Sequence, residues 1–66
     1  MNEPVLNVLI ADDEIFIREG LKYIIDWRAL GFDICGEAQD GMDALEKMAS
    51  LHPSLVLLDI QMPLLS

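Results

Sequence analysis

Two apolar runs, each of strand length and each leading into aspartate, constrain this sequence more than anything else in it. Leu55-Val56-Leu57-Leu58 runs into Asp59 and Ile60, with Pro63 closing the segment. Val5 to Ala11, apolar except for Asn7, runs into Asp12-Asp13-Glu14. Near-continuous apolar runs of this length mark parallel strands covered on both faces. In open α/β sheets ligands bind outside the carboxyl ends of the strands, where the strand order reverses. A single aspartate at a strand end is commonly a turn or cap residue. Two strands ending alike suggest one shared acidic pocket.

The intervening residues supply the elements that such strands require. After the loop 12–14, in which Asp13 or Glu14 can cap a helix, a 3.6-residue period predicts an amphipathic helix from 15 to about 27. Phe16, Ile17, Gly20, Leu21, Tyr23, Ile24 and Trp27 fall on its apolar side, and Arg18, Glu19, Lys22 and Asp26 on the other. At that spacing Tyr23 and Trp27 read as packing residues rather than a stacking platform. Gly31 ends the segment by C-cap logic, and 33–38 reads as a short strand with weak alternation. Asp40-Gly41 marks a turn, with Asp40 capping a second helix whose apolar positions are Met42, Leu45, Met48 and Ala49. His52-Pro53 stops it; His52, the one histidine in the chain, reads as a solvated residue in the last turn rather than a ligand.

Strands alternating with helices imply right-handed crossovers in a parallel sheet. With the second strand on one side of the first and the third on the other, the order is 2-1-3 and the helices cover opposite faces. The switch point then lies between strands 1 and 3, the two that end in Asp12-Asp13 and Asp59.

Sixty-six residues make at most one small domain, and a chain of about 60 residues buries only roughly 60% of its unfolded surface. The 53% hydrophobic content nonetheless argues for a packed core rather than disorder. Net charge −8 repels nucleic acid phosphates and favours cations or basic partners. Cys35 has no cysteine to pair with and reads as a small core residue. The N-terminal residues lack the basic region of a signal peptide, and no apolar run approaches the ~18 residues of a membrane span. A cytoplasmic protein is expected.

Three carboxylates brought within a few ångströms repel one another, by about 4 kcal/mol per pair at 4 Å and an effective dielectric of 20. A proton or a cation must sit among them. Mg2+ needs only one or two carboxylates when it also holds phosphate oxygens, so a carboxylate attacking phosphorus is chemically reasonable. A Mg2+-dependent phosphotransferase or phosphatase using the strand-1 aspartates, and a structural fragment without chemistry, stand beside that reading. The first of these is expected to carry an Asp-x-Asp spacing, whereas the acids here are adjacent.

Three blocks, Val8 to Glu14, Gly36 to Leu45 and Leu57 to Pro63, together resemble the receiver domain of two-component response regulators, in the family's order and spacing. The resemblance implies a flavodoxin-like (CheY-like) doubly wound parallel α/β fold, here β1-α1-β2-α2-β3. It implies that Asp59 is the phosphoacceptor, with Asp12 and Asp13 as the acidic pair. Mg2+ would be held by Asp13, Asp59 and the main-chain carbonyl of Gln61, with Asp12 acting through water, while Met62-Pro63 shapes the following loop. The implied partners are a sensor histidine kinase and a transcriptional output domain, and no turnover enzyme is expected. Asp26 to Phe32 further resembles receivers that precede an AraC-type DNA-binding domain. A receiver's later half supplies a Ser or Thr and a Lys that bind the phosphoryl group. Residues 1–66 are therefore expected to be the N-terminal half of a receiver, self-associating through the exposed third strand.

Overall fold

The structure, a computed structural model, describes residues 5–59. Strand β1 (Leu6–Ala11) is followed by helix α1 (Ile15–Ile24), a 3-10 turn (Arg28–Leu30), strand β2 (Phe32–Ala38), helix α2 (Gly41–Leu51) and strand β3 (Leu55–Leu58). The three strands form one parallel sheet in the order β2-β1-β3, the order in which right-handed crossovers put the two helices on opposite faces. Because β1 is central, Val8, Leu9, Ile10 and Ala11 are all buried, and its side chains alternate between two layers. Val8 and Ile10 pack with Trp27 and with Leu21 and Ile25, while Ala11 clusters with Ala38 and with Ala44 of α2. The helices thus cover opposite faces.

β1 and β2 pair in register from Leu6↔Phe32 to Val8↔Ile34, and then shift so that Leu9 faces Gly36. Cys35 is the extra residue of this bulge. A Cβ on Gly36 would meet the Leu51 Cδ1 atom at 2.8 Å and that of Leu9 at 3.5 Å, so a larger residue would have to push the Leu51 side chain aside. The end of α2 approaches β2 at the one position without a side chain.

Helix α1 is shorter than its periodicity predicts. It stops at Ile24, and Ile25 is already extended (φ −95°, ψ 129°). Trp27, freed from the helix, folds back so that its Nε1 donates to the Leu21 carbonyl at 3.0 Å, with its ring edge-on to Phe32 at 6.4 Å. Buried aromatic nitrogen needs such a partner, and the helix end leaves carbonyls open to provide it. Gly31 (φ 86°) therefore closes the 3-10 turn rather than α1. Glu14 stands at the N-cap of α1 without a side-chain cap bond.

The packing faces of both helices also differ from the expected stripes. Phe16 and Tyr23 are 84% and 82% exposed, and Ile24 is equally open, whereas Arg18 and Lys22 turn toward β2. Leu21 and Ile25 make the apolar contact. On α2 the buried positions are Gly41 and Ala44, while Met42, Leu45 and Ala49 are exposed. Small residues let the helix backbone lie close to the sheet, so they take the contact that hydrophobicity alone assigns to the larger ones. Asp40 caps α2 as predicted, its Oδ1 accepting from the Asp43 amide at 2.8 Å. His52 closes the helix in the left-handed region (φ 49°), its N–H on the Met48 carbonyl.

Candidate functional site

The carboxyl ends of β1 and β3 are held together by the sheet ladder itself. The Asp59 amide donates to the Ala11 carbonyl at 3.1 Å, and the Asp12 amide to that of Ala38 at 3.0 Å. Each strand's last bond therefore fixes an acidic residue at the edge of the sheet. Asp12, Asp13 and Asp59 each present one carboxylate oxygen, and the three lie within 4.8 Å of one another. The three differ in setting: Asp12 is 6% exposed, Asp59 half-buried and Asp13 exposed. The Asp12 Oδ1 accepts from the Glu14 amide at 2.9 Å, an Asx-type turn that sets the carboxylate as the chain leaves β1. A cavity of about 310 Å³ opens beside these acids, lined by Ile10, Leu21, Leu57 and Leu58 as well as Asp12 and Asp59.

All-oxygen donors on adjacent strand ends suit a hard cation that retains waters, and crowded carboxylates gain from one. Among the described residues, the ligand atoms of this cluster are all carboxylate oxygens. Gln61, Met62 and Pro63, to which the resemblance assigns a metal-binding carbonyl and the shaping of the loop, lie outside the described residues.

Periodicity gave no sign of a second set of polar residues behind the acids. Glu37, near the end of β2, is paired with Arg18 at 3.2 Å and Lys22 at 2.8 Å, both from α1. Its carbonyl accepts from Lys47 of α2. The hydrogen bond from Lys22, with a smaller share from Arg18, holds the Glu37 carboxyl below the usual glutamate range against the cost of desolvation. The same pairing raises Lys22 above an ordinary lysine. Arg18 reaches further still, its Nη1 donating to the Asp12 carbonyl. The available sequence signal was the i, i+4 spacing of Arg18 and Lys22, which places two cations on one side of α1 facing an acid on the neighbouring strand.

Residues 8–66 match the family model described as the response regulator receiver domain. The chain is similar to the transcriptional regulatory protein HptR of Staphylococcus aureus (strain NCTC 8325 / PS 47), 46% identical over 59 residues, 89% of this chain and 23% of that protein. Among solved structures it is similar to the REC domain of AraT, a response regulator from Geobacillus stearothermophilus. The two are 42% identical with a TM-score of 0.83, over 89% of this chain and 46% of that one. It is also similar to a chain in the complex of the P1 domain of CheA3 with CheY6 from R. sphaeroides, at 35% identity and TM-score 0.78, over 92% of this chain and 47% of that one. The chain spans 15–23% of the length of the curated relatives it matches first, and about half that of the matched structures.

Proposed function

Since the chain belongs to the response regulator receiver domain family, we propose that Asp59 accepts a phosphoryl group from a phosphohistidine of a sensor histidine kinase. The observation that carries this is the convergence of Asp12, Asp13 and Asp59 at the ends of β1 and β3. One Asp59 oxygen attacks phosphorus in line, the P–N bond to the imidazole breaks, and the imidazole leaves with a proton from solvent. The product is an acyl phosphate on Asp59, made once per phosphoryl group received, so the chain is an acceptor and not a turnover enzyme. Asp13, Asp59 and the Gln61 carbonyl would hold Mg2+ directly, and Asp12 through water. Bound there, the ion offsets the charge of the carboxylates and of the incoming phosphoryl oxygens. Asp12 keeps its carboxylate aimed at the site through its bond from the Glu14 amide.

In this reading residues 1–66 form the N-terminal half of a receiver, and the charge gained at Asp59 controls an output domain that binds DNA, of AraC type. The pairing with a kinase places the reaction in the cytoplasm. The later half of the receiver supplies a hydroxyl and a lysine to the phosphoryl oxygens. Such preorganised donors are worth several kcal/mol of barrier, so residues 1–66 alone react slowly. The apolar edge strand β3 pairs with another chain.

The test uses a small phosphodonor and Mg2+ on the full-length protein, with the label mapped by mass spectrometry. Labelling at Asp59 that Asp59→Asn removes and Asp13→Asn slows supports the proposal. A label on another carboxylate, or one indifferent to Asp13→Asn, overturns it. Residues 1–66 labelled as fast as the full-length protein would contradict the role given to the later half.

A further inference from the structure

Arg18 reaches the acidic pair through the pair's backbone, at the peptide that joins Asp12 to Asp13. Its side chain is only 12% exposed, although it falls on the charged side of α1. The guanidinium spans two elements: Nε donates to Glu37 Oε1 at 3.2 Å, and Nη1 donates to the Asp12 carbonyl. The far anchor is itself braced from two sides. Glu37 Oε2 is held by Lys22 at 2.8 Å, and the Glu37 carbonyl is held by Lys47 from the opposite face of the sheet.

At the near end, the Asp12 carbonyl belongs to the peptide that links Asp12 to Asp13. The preceding peptide is fixed by the Asp12 amide on the Ala38 carbonyl, and the side chain by the Glu14 amide on Oδ1. The contact from Arg18 fixes the remaining plane and with it the direction in which Asp13 departs. A planar, two-armed donor is required for this. A lysine carries the same charge but a single ammonium, and cannot hold both ends in one geometry.

We propose that Arg18 is a positioning residue: a strut from Glu37 to the Asp12–Asp13 peptide that presets the two acids for a divalent cation. This rests on the metal-binding reading given above, and it is separable from it. Partners that orient a ligand without touching the metal typically change affinity by about 10–100-fold when mutated.

The experiment compares wild type, Arg18→Lys, Glu37→Gln and the double variant in the full chain, with Mg2+ alone as ligand. It reads affinity by calorimetry and, without metal, amide exchange residue by residue. Arg18→Lys keeps the charge, so a purely electrostatic effect of the cation would leave affinity in place. The strut predicts about a tenfold loss, a smaller loss in Glu37→Gln, and less than the product of the two in the double variant. It also predicts faster exchange at the Asp12 and Glu14 amides with Val8 to Ile10 unchanged. Unchanged exchange at Asp12 and Glu14 overturns the proposal, as does faster exchange at every strand, which would make Arg18 a general stabiliser. Unchanged affinity with altered exchange overturns the metal role of the strut. A wild-type chain without Mg2+ affinity refutes that metal role together with the metal reading, and leaves the strut itself to stand or fall on exchange.

Discussion

β1 and β3 carry nearly the same message in sequence, an apolar run delivering an aspartate, and the fold treats them differently. Leu9 in β1 is fully buried, while Leu58 in β3 is 52% exposed. β1 is paired on both sides; β3 pairs only with β1 among the described residues. The run of apolar residues identifies a strand, and the number of neighbours in the sheet decides how much of it leaves water. The two aspartates inherit the contrast, Asp12 buried and Asp59 half-buried.

The sharpest way to break this comparison is to truncate equivalent leucines. Leu9→Ala should cost about 2–5 kcal/mol, as buried leucines do, and Leu58→Ala under about 1 kcal/mol, measured by urea unfolding. Equal costs would mean that β3 is covered in solution. That cover is the next thing to test, because β3 lacks the lysine, proline or inward charge that protects edge strands. Burying a few hundred Å² there at about 25 cal/mol per Å² is worth several kcal/mol before ordering costs are subtracted. Light scattering should find concentration-dependent association of residues 1–66 that Leu58→Lys weakens. A monomer at all concentrations, with β3 amides as protected as those of β1, would remove the distinction.

The smallest effect concerns β2, whose carboxyl end is held by ions where β1 is held by apolar contact. Glu37 has a folded pKa below its unfolded one, so its contribution is complete above the ordinary glutamate value of about 4.3 and is lost as pH falls through the folded value. Lys22, raised by the same pair, contributes below the ordinary lysine value and loses that contribution as pH rises through its folded one. Partial exposure limits the acid loss to under about 1 kcal/mol. Relative to the intrinsic amide rate at each pH, exchange at Glu37 and Ala38 should quicken as pH falls through the folded Glu37 value while Leu9 and Ile10 hold, and Glu37→Gln should abolish the difference. Uniform quickening would show that the sheet loosens as one unit.

Once β2 and β3 are set on either side of β1, the order that goes with the family resemblance, handedness puts the helices on opposite faces and the strand ends bring Asp12, Asp13 and Asp59 together, so this much was legible in the sequence. The helix faces were not. Periodicity ranks Phe16 and Tyr23 as buried and Arg18 as solvated, since it counts hydrophobicity without knowing that Glu37 waits on the neighbouring strand. Trp27 continues the helical period, yet its indole bond to Leu21 requires the helix to have ended. On α2, Ala44 outranks Leu45 for the sheet because closeness, not size, governs that contact.

The bulge at Cys35 bears on this last group of surprises. A regular strand keeps parity, so residues an odd number apart face opposite ways, yet Ile34 and Glu37 both face α1. The inserted residue reverses the parity of β2 midway, which is why its alternation looks weak in sequence. Without the reversal, Glu37 would register beside Ala11 among the alanines under α2, turned away from Arg18 and Lys22. With it, one face of β2 meets α1 in two ways, by oil where Ile34 and Leu21 join the cluster around Val8 and Ile10, and by charge where Glu37 meets Arg18 and Lys22.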